Sequence, residues 1–207
     1  MSRFPSERAA DVGAFHDAYF AELQRAAAGV SQAALERAAA LLLSAMDADK
    51  QVFLAGNGGS AAIANHLVAD YAKGLRNDTG WKPRVRSLSS SQELLTAISN
   101  DLSYAEVFSF QLEGLGRPGD LLITVSSSGD SENIVRVVQW ARDNGIGSIA
   151  LTGFAGGRSA GLADVNLHVA SENYGVVEDV HQSLLHLLGQ WLRMGRMPDD
   201  LIAQRKF

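Results

Sequence analysis

The sequence predicts an α/β protein, a doubly wound parallel sheet in three αβα layers, with an N-terminal helical arm. Three observations predict it. From residue 50 onward, short apolar runs alternate with stretches of helical periodicity, the pattern of βαβ units whose parallel sheet is covered on both faces. Two of those runs end in polar turns, Gly56-Asn57-Gly58-Gly59-Ser60 and Ser126-Ser127-Ser128-Gly129-Asp130-Ser131, and ligands of such sheets bind beyond the carboxyl ends of the strands. Ahead of this, residues 11–48 are rich in Ala and Leu and contain no proline.

Each element follows from local pattern. In the arm, Phe15, Tyr19 and Leu23, then Leu35, Ala39, Leu42 and Met46, recur at the spacing of one helical face. Gly29 followed by Ser31 marks a break and a new N-cap, so two helices are expected. Gln51–Ala55 reads as the first strand and Ala61–Lys73 as the helix after its turn. Arg84–Leu88 reads as a strand and Gln92–Ser99 as a helix. Tyr104–Leu115 reads as one helix, Leu121–Val125 as a strand, and Glu132–Asn144 as a helix stopped by Gly145. Ser148–Leu151 and Val165–Val169 are the last strands, and Val176–Met194 is a long closing helix.

The 207 residues are expected to form a single domain, with helices over 11–48 and the α/β core over 50–195. There is no cysteine, which removes disulfides, thiolate metal sites and cysteine nucleophiles. The net charge of −5 comes without a block of either sign, so the clustered basic surface of a nucleic-acid binder is missing. The first residues carry mixed charge with no apolar core of a signal peptide. No apolar run approaches the roughly 20 residues needed to span a bilayer. A cytoplasmic protein without nucleic-acid or membrane partners is expected.

The two turns carry the chemistry. Glycines let a backbone approach a ligand closely, and a helix N-terminus offers free N–H groups and the positive end of its dipole. The first turn is neither a Walker A loop nor a complete GxGxxG fingerprint. The second places four serines and a glycine at a helix start, where one serine would suffice as a cap. It contains no Lys or Arg, which favours a hydrogen-bonded monophosphate over a nucleoside triphosphate with its metal. Elsewhere, His66 and Asp70 are four residues apart and share a helix face. Glu178 and His186 are eight apart, about 80° around the last helix. Two carboxylates and two imidazoles could form either a zinc site with oxygen and nitrogen ligands or an acid–base constellation around a sugar. His16, His168 and His181 are read as structural.

The stretches AGNGGSAAIANHLVADYAKGL, AISNDLSYAEVF, GRPGDLLITVSSSGDSENIV, IALTGFAGGRSAGLADV and VVEDVHQSLLHLL together resemble the phosphoheptose isomerases, which are built on the sugar isomerase (SIS) fold. The resemblance spans residues 35–192. It implies sugar-phosphate contacts at Asn57, Gly58, Gly59 and Ser60, at Asn100 and Asp101, and at Ser126, Ser127, Ser128 and Ser131. It implies metal and acid–base positions at His66, Asp70, Glu178 and His186, with zinc as the cofactor; within that set Asp70 is read as the base and His186 as the acid, or the two with roles exchanged. The reaction implied is isomerisation of sedoheptulose 7-phosphate, for bacterial surface polysaccharide, in a homotetramer. Three positions depart from the family: Asp70 stands for Glu, Glu178 for Gln, and Asp130 for Asn. They leave room for another ketose phosphate, or for a non-catalytic module that binds a sugar phosphate or a protein partner. Lys73, one turn beyond Asp70, is a candidate sugar-phosphate contact or a solvated side chain.

Overall fold

The structure is a computed structural model and describes residues 3–207. The arm consists of α1 (Val12–Ala28), capped by the Asp11 carboxylate, and α2 (Gln32–Asp47), capped by the Ser31 hydroxyl. Five parallel strands follow: β1 (Gln51–Gly56), β2 (Arg84–Ser87), β3 (Leu121–Ser126), β4 (Gly147–Thr152) and β5 (Val165–His168). Between and after them lie α3 (Gly58–Ala69), α4 (Gln92–Asp101), α5 (Ser109–Leu115), α6 (Glu132–Asp143), α7 (Gly157–Leu162), α8 (Tyr174–Met194) and α9 (Asp199–Ile202).

The strand order is β2-β1-β3-β4-β5. The chain starts in the interior of the sheet, runs out to one edge and then returns past β1. The order therefore reverses between β1 and β3, which pair directly from Val52↔Leu121 to Gly56↔Val125. That reversal opens a crevice at the carboxyl ends of these two strands. Both polar turns leave from it.

Alternation along each strand builds the two covering layers. Val52, Leu54, Leu121, Ile123, Ile149 and Leu151 face a core closed by α2, α3 and α8. Phe53, Ala55 and Leu122 face the opposite core, closed by α4, α5 and α6. Fully burying each larger apolar side chain contributes roughly 1.5–3 kcal/mol. The expected doubly wound parallel sheet is what the chain forms.

Three segments differ from the sequence expectation. Tyr104–Leu115 is not one helix but a 3-10 turn, Tyr104–Glu106, followed by α5. Val107 and Phe108 turn inward and are fully buried, and the Ser109 hydroxyl donates to the Glu106 carboxylate at 2.6 Å, so the helix restarts there. The helix expected over Ala61–Lys73 begins earlier, at Gly58. It passes at Asp70 into a π-helical turn, Asp70–Gly74, where the Leu75 N–H donates to the Asp70 carbonyl. Helix α7 was not expected, because GRSAGL carries no apolar face. Among the described residues, no helix is long and apolar enough to cross a membrane.

Candidate active site

Asn57, Gly58, Gly59, Ser60, Ser126, Ser127, Ser128 and Ser131 line one cavity of about 290 Å³, together with Tyr174 and Glu178. The local sequence explains why it is open. Asn57 is the N-cap residue of α3 and Ser131 that of α6, yet neither side chain makes a capping hydrogen bond. Two helix N-termini thus open on the cavity with no capping hydrogen bond from their own N-cap side chains. The Ser127 hydroxyl, in a residue only 5% exposed, is buried without a hydrogen-bond partner. A buried unpartnered hydroxyl costs free energy unless a ligand supplies the missing bond.

The Asn57 side chain is held rather than free. Its amide donates to Asn133 Oδ1 at 2.9 Å, and its oxygen accepts from Asn133 Nδ2 at 3.0 Å and from the Tyr104 hydroxyl at 2.8 Å. The serine turn is held by backbone contact. Gly129 has φ +62°, and a Cβ there would lie 1.9 Å from the Gly156 carbonyl oxygen. Gly157, at φ +60°, approaches the same turn from the other side. Ser126 Oγ accepts the Gly129 N–H at 3.1 Å, and Ser128 Oγ accepts the Asp130 N–H at 3.3 Å.

Asp130 brings a carboxylate to this turn, and Arg158 answers it. Arg158 Nε donates to Asp130 Oδ1 at 2.6 Å and its Nη1 to Glu132 Oε2 at 3.0 Å. The Nε bond to Asp130, with the Arg158 backbone N–H, holds the Asp130 carboxyl below its ordinary range. No basic residue lies within the turn's sequence, but the fold places one beside it.

A second group forms where α3 ends and α8 passes. His66 Nε2 and His186 Nε2 are 3.0 Å apart, and Asp70 Oδ2 lies 3.1 and 3.2 Å from them. Asp70 Oδ2 is buried and accepts no well-aligned hydrogen bond from either ring. Two imidazole nitrogens and a carboxylate oxygen turned on one point are the donor types that a divalent cation takes. Bonds of about 2.0–2.1 Å from nitrogen and oxygen to a tetrahedral zinc put donors about 3.3 Å apart, close to the triangle observed. His66, Asp70 and His186 therefore fit a divalent metal. Among the described residues, they are the group of His and acidic side chains that does so.

Glu178 does not complete that group. Its carboxylate lies against Gly59, where a Cβ would fall 2.7 Å from each oxygen, and so belongs to the serine-lined cavity. Of the four residues at which the resemblance implies a metal, His66, Asp70 and His186 come together and Glu178 lies apart. Asp70 and His186 line a neighbouring cavity of about 270 Å³ with Leu185, Gly189 and Phe207. Asn100 and Asp101 lie at the exposed end of α4, joined by a 2.8 Å hydrogen bond, and line neither cavity. Lys73 is exposed on the π-helical turn.

Residues that pattern reading did not single out complete the site. Tyr104 and Asn133 hold Asn57, Tyr174 walls the cavity with its ring against Phe154, and Gln182 reaches His186 Nε2 at 2.8 Å. A signal for Gln182 existed. It lies four residues from both Glu178 and His186, on the helical stripe that joins them. His181 is buried beside Thr152 and His168, and burial pushes its imidazole down to about 4.

Comparison with known proteins accords with this arrangement. The SIS domain family matches residues 17–153. The phosphoheptose isomerase of Nitratidesulfovibrio vulgaris (strain Miyazaki F) is 37% identical over 141 residues, covering 68% of this chain and 67% of that one. The structure of a phosphoheptose isomerase from Francisella tularensis superposes with a TM-score of 0.81 at 26% identity, covering 88% of this chain and 96% of that one. That of the phosphoheptose isomerase from Neisseria gonorrhoeae gives 0.79 at 33% identity, covering 88% and 98%. The chain belongs to the SIS domain family and, within it, to the phosphoheptose isomerases.

Proposed function

We propose that this isomerase converts sedoheptulose 7-phosphate to D-glycero-D-manno-heptose 7-phosphate by moving a proton between C1 and C2. The observation that carries the reading is the convergence of two uncapped helix N-termini and the unpartnered Ser127 hydroxyl on one cavity, one helix away from His66, Asp70 and His186. The serine turn and the start of α3 would hold the phosphate dianion. Fixing that end positions the reacting carbons. The sugar would then run along α8 towards Asp70 and His186.

Proton transfer needs a base and an acid within hydrogen-bond reach of the reacting carbons. Asp70 would take the proton from the hydroxylated carbon, and His186 would protonate the neighbouring carbonyl oxygen. Were zinc held by His66, Asp70 and His186, it would polarise that carbonyl as a Lewis acid in place of a proton from His186, while the second oxygen of Asp70 would still serve as base. Such a reaction belongs in the cytoplasm, where sugar phosphates are held, and its product would supply surface polysaccharide. Assembly into a homotetramer is part of the same reading. Leu187, Trp191 and Met194 form an exposed apolar stripe on α8, and Phe20 is exposed on α1, surfaces suited to a second copy.

The test is direct. Zinc-loaded protein is incubated with sedoheptulose 7-phosphate and the aldose product followed by NMR. Turnover is expected, with a loss of about 100-fold or more in Asp70→Ala and in His186→Ala. Tight sugar-phosphate binding without turnover would overturn the heptose assignment.

A further inference from the structure

The cluster at the end of α3 offers three donors, and a zinc held by three side chains keeps coordination room for a further donor and for a substrate oxygen, up to five in all. Helix α8 carries Glu178, Gln182 and His186 at four-residue intervals, so the three side chains lie along one stripe. Glu178 turns to Gly59 at one end of the stripe. Gln182, half-buried one turn before His186, turns to the cluster instead, with its amide terminus 2.8 Å from His186 Nε2. His186 Nε2 thus meets His66 Nε2, Asp70 Oδ2 and the Gln182 amide within 3.2 Å. One imidazole nitrogen presents either a proton or a lone pair, never both, so it cannot satisfy all three.

The two ends of a glutamine amide have the same shape, and turning it over puts its oxygen where its nitrogen stands. From this crowding we infer that Gln182 supplies its carbonyl oxygen as the fourth donor to a divalent cation held by His66, Asp70 and His186. It would fill the place that Glu178 leaves when it turns to the sugar-phosphate cavity. The donor set is then two imidazoles, one carboxylate and one neutral amide. Glu178 becomes a residue of the substrate cavity, free of the metal. The inference rests on the metal-assisted reading above, but it is tested without any sugar.

Zinc affinity is measured by competition with a chromophoric chelator, and the visible absorption of the cobalt(II)-substituted protein reports coordination. Four proteins are compared: wild type, Gln182→Leu, Gln182→Glu and Glu178→Ala. Gln182→Leu keeps the shape and removes the donor. It is expected to weaken zinc by at least the roughly 10- to 100-fold typical of losing a supporting partner at such sites, and to change the cobalt bands. Gln182→Glu restores an oxygen and should return both readouts towards wild type. Glu178→Ala should leave both near wild type. Zinc weakened in Glu178→Ala, or unchanged in Gln182→Leu, overturns the assignment, as does a wild type that binds no zinc. Failure of the heptose reading would appear only in the sugar assay, so the two are separable.

Discussion

Replacing Gly129 with Ala should dismantle the serine turn. At φ +62°, alanine pays roughly 1–2 kcal/mol for the left-handed conformation. Its Cβ would also fall 1.9 Å from the Gly156 carbonyl oxygen and 2.8 Å from its carbon. Both obstacles are backbone. The approach is tight in the other direction too, since a Cβ on Gly157 would lie 2.4 Å from the Gly129 carbonyl carbon. The turns must therefore part by about 1 Å or more to regain an ordinary contact distance, at an overpacking cost of roughly 1–3 kcal/mol. Together the two effects amount to about 2–5 kcal/mol. A displacement of that size at the phosphate anchor costs on the order of 100-fold in rate.

Urea unfolding followed by circular dichroism reads the first quantity, and kcat/KM for the ketose phosphate reads the second. Gly161→Ala is the control. It lies in α7 with nothing within 4 Å of the added methyl, and a glycine-to-alanine change inside a helix should stabilise by up to about 1 kcal/mol. If Gly129→Ala unfolds at the same urea concentration as wild type with kcat/KM intact, the backbone-to-backbone contact is not what holds the turn.

Three further outcomes are expected. Gly59→Ala should fold normally, because its obstacle is the movable Glu178 carboxylate. Sugar-phosphate affinity should drop by about tenfold, within the overpacking range of roughly 1–3 kcal/mol, as isothermal titration would read. Tyr104→Phe removes one hydrogen bond to Asn57 and should raise KM by an amount corresponding to about 0.5–1.5 kcal/mol. Asn133→Ala, which strips both amide bonds, should raise it further. His181 is buried with its pKa lowered from 6.5 to about 4, so the unfolded chain binds a proton that the folded one refuses. Its contribution is complete above pH 6.5 and is lost as pH falls towards about 4, up to about 3 kcal/mol in total. His181→Phe should flatten that slope in urea unfolding, and an imidazole titrating near 6.5 by NMR would contradict it.

What the sequence disclosed was whatever local pattern can encode. The strands were legible because alternating or continuous apolar runs ended in Gly or Ser turns, and Ser31 announced α2. The two polar turns were legible for the same reason, since four serines exceed what a cap requires. Helix α7 was not, because six residues with two glycines carry no periodicity. The break before α5 depends on Val107 and Phe108 finding a core made by distant elements. Asn57 is fixed by partners 47 and 76 residues away, and Asp130 by Arg158, 28 residues on. No window of sequence contains such pairs. The division of α8 between two sites was equally hidden: spacing put Glu178 and His186 on related faces, but their different partners decide which site each serves.

That division has a geometric meaning. Glu178 stands at the serine-lined cavity and His186 at the His66–Asp70 cluster, on a single uninterrupted helix, eight residues apart and hence separated by about 12 Å of helical rise. A helix neither stretches nor bends appreciably over two turns, so on the proposed reading α8 would act as a ruler laid beneath the substrate. Chain length would then be measured mechanically: an anchored sugar too short to carry its carbonyl along the ruler would stop before the histidines. One inserted or deleted residue between 178 and 186 would swing the far mark around the helix by about 100°, so the scale cannot be adjusted by small steps.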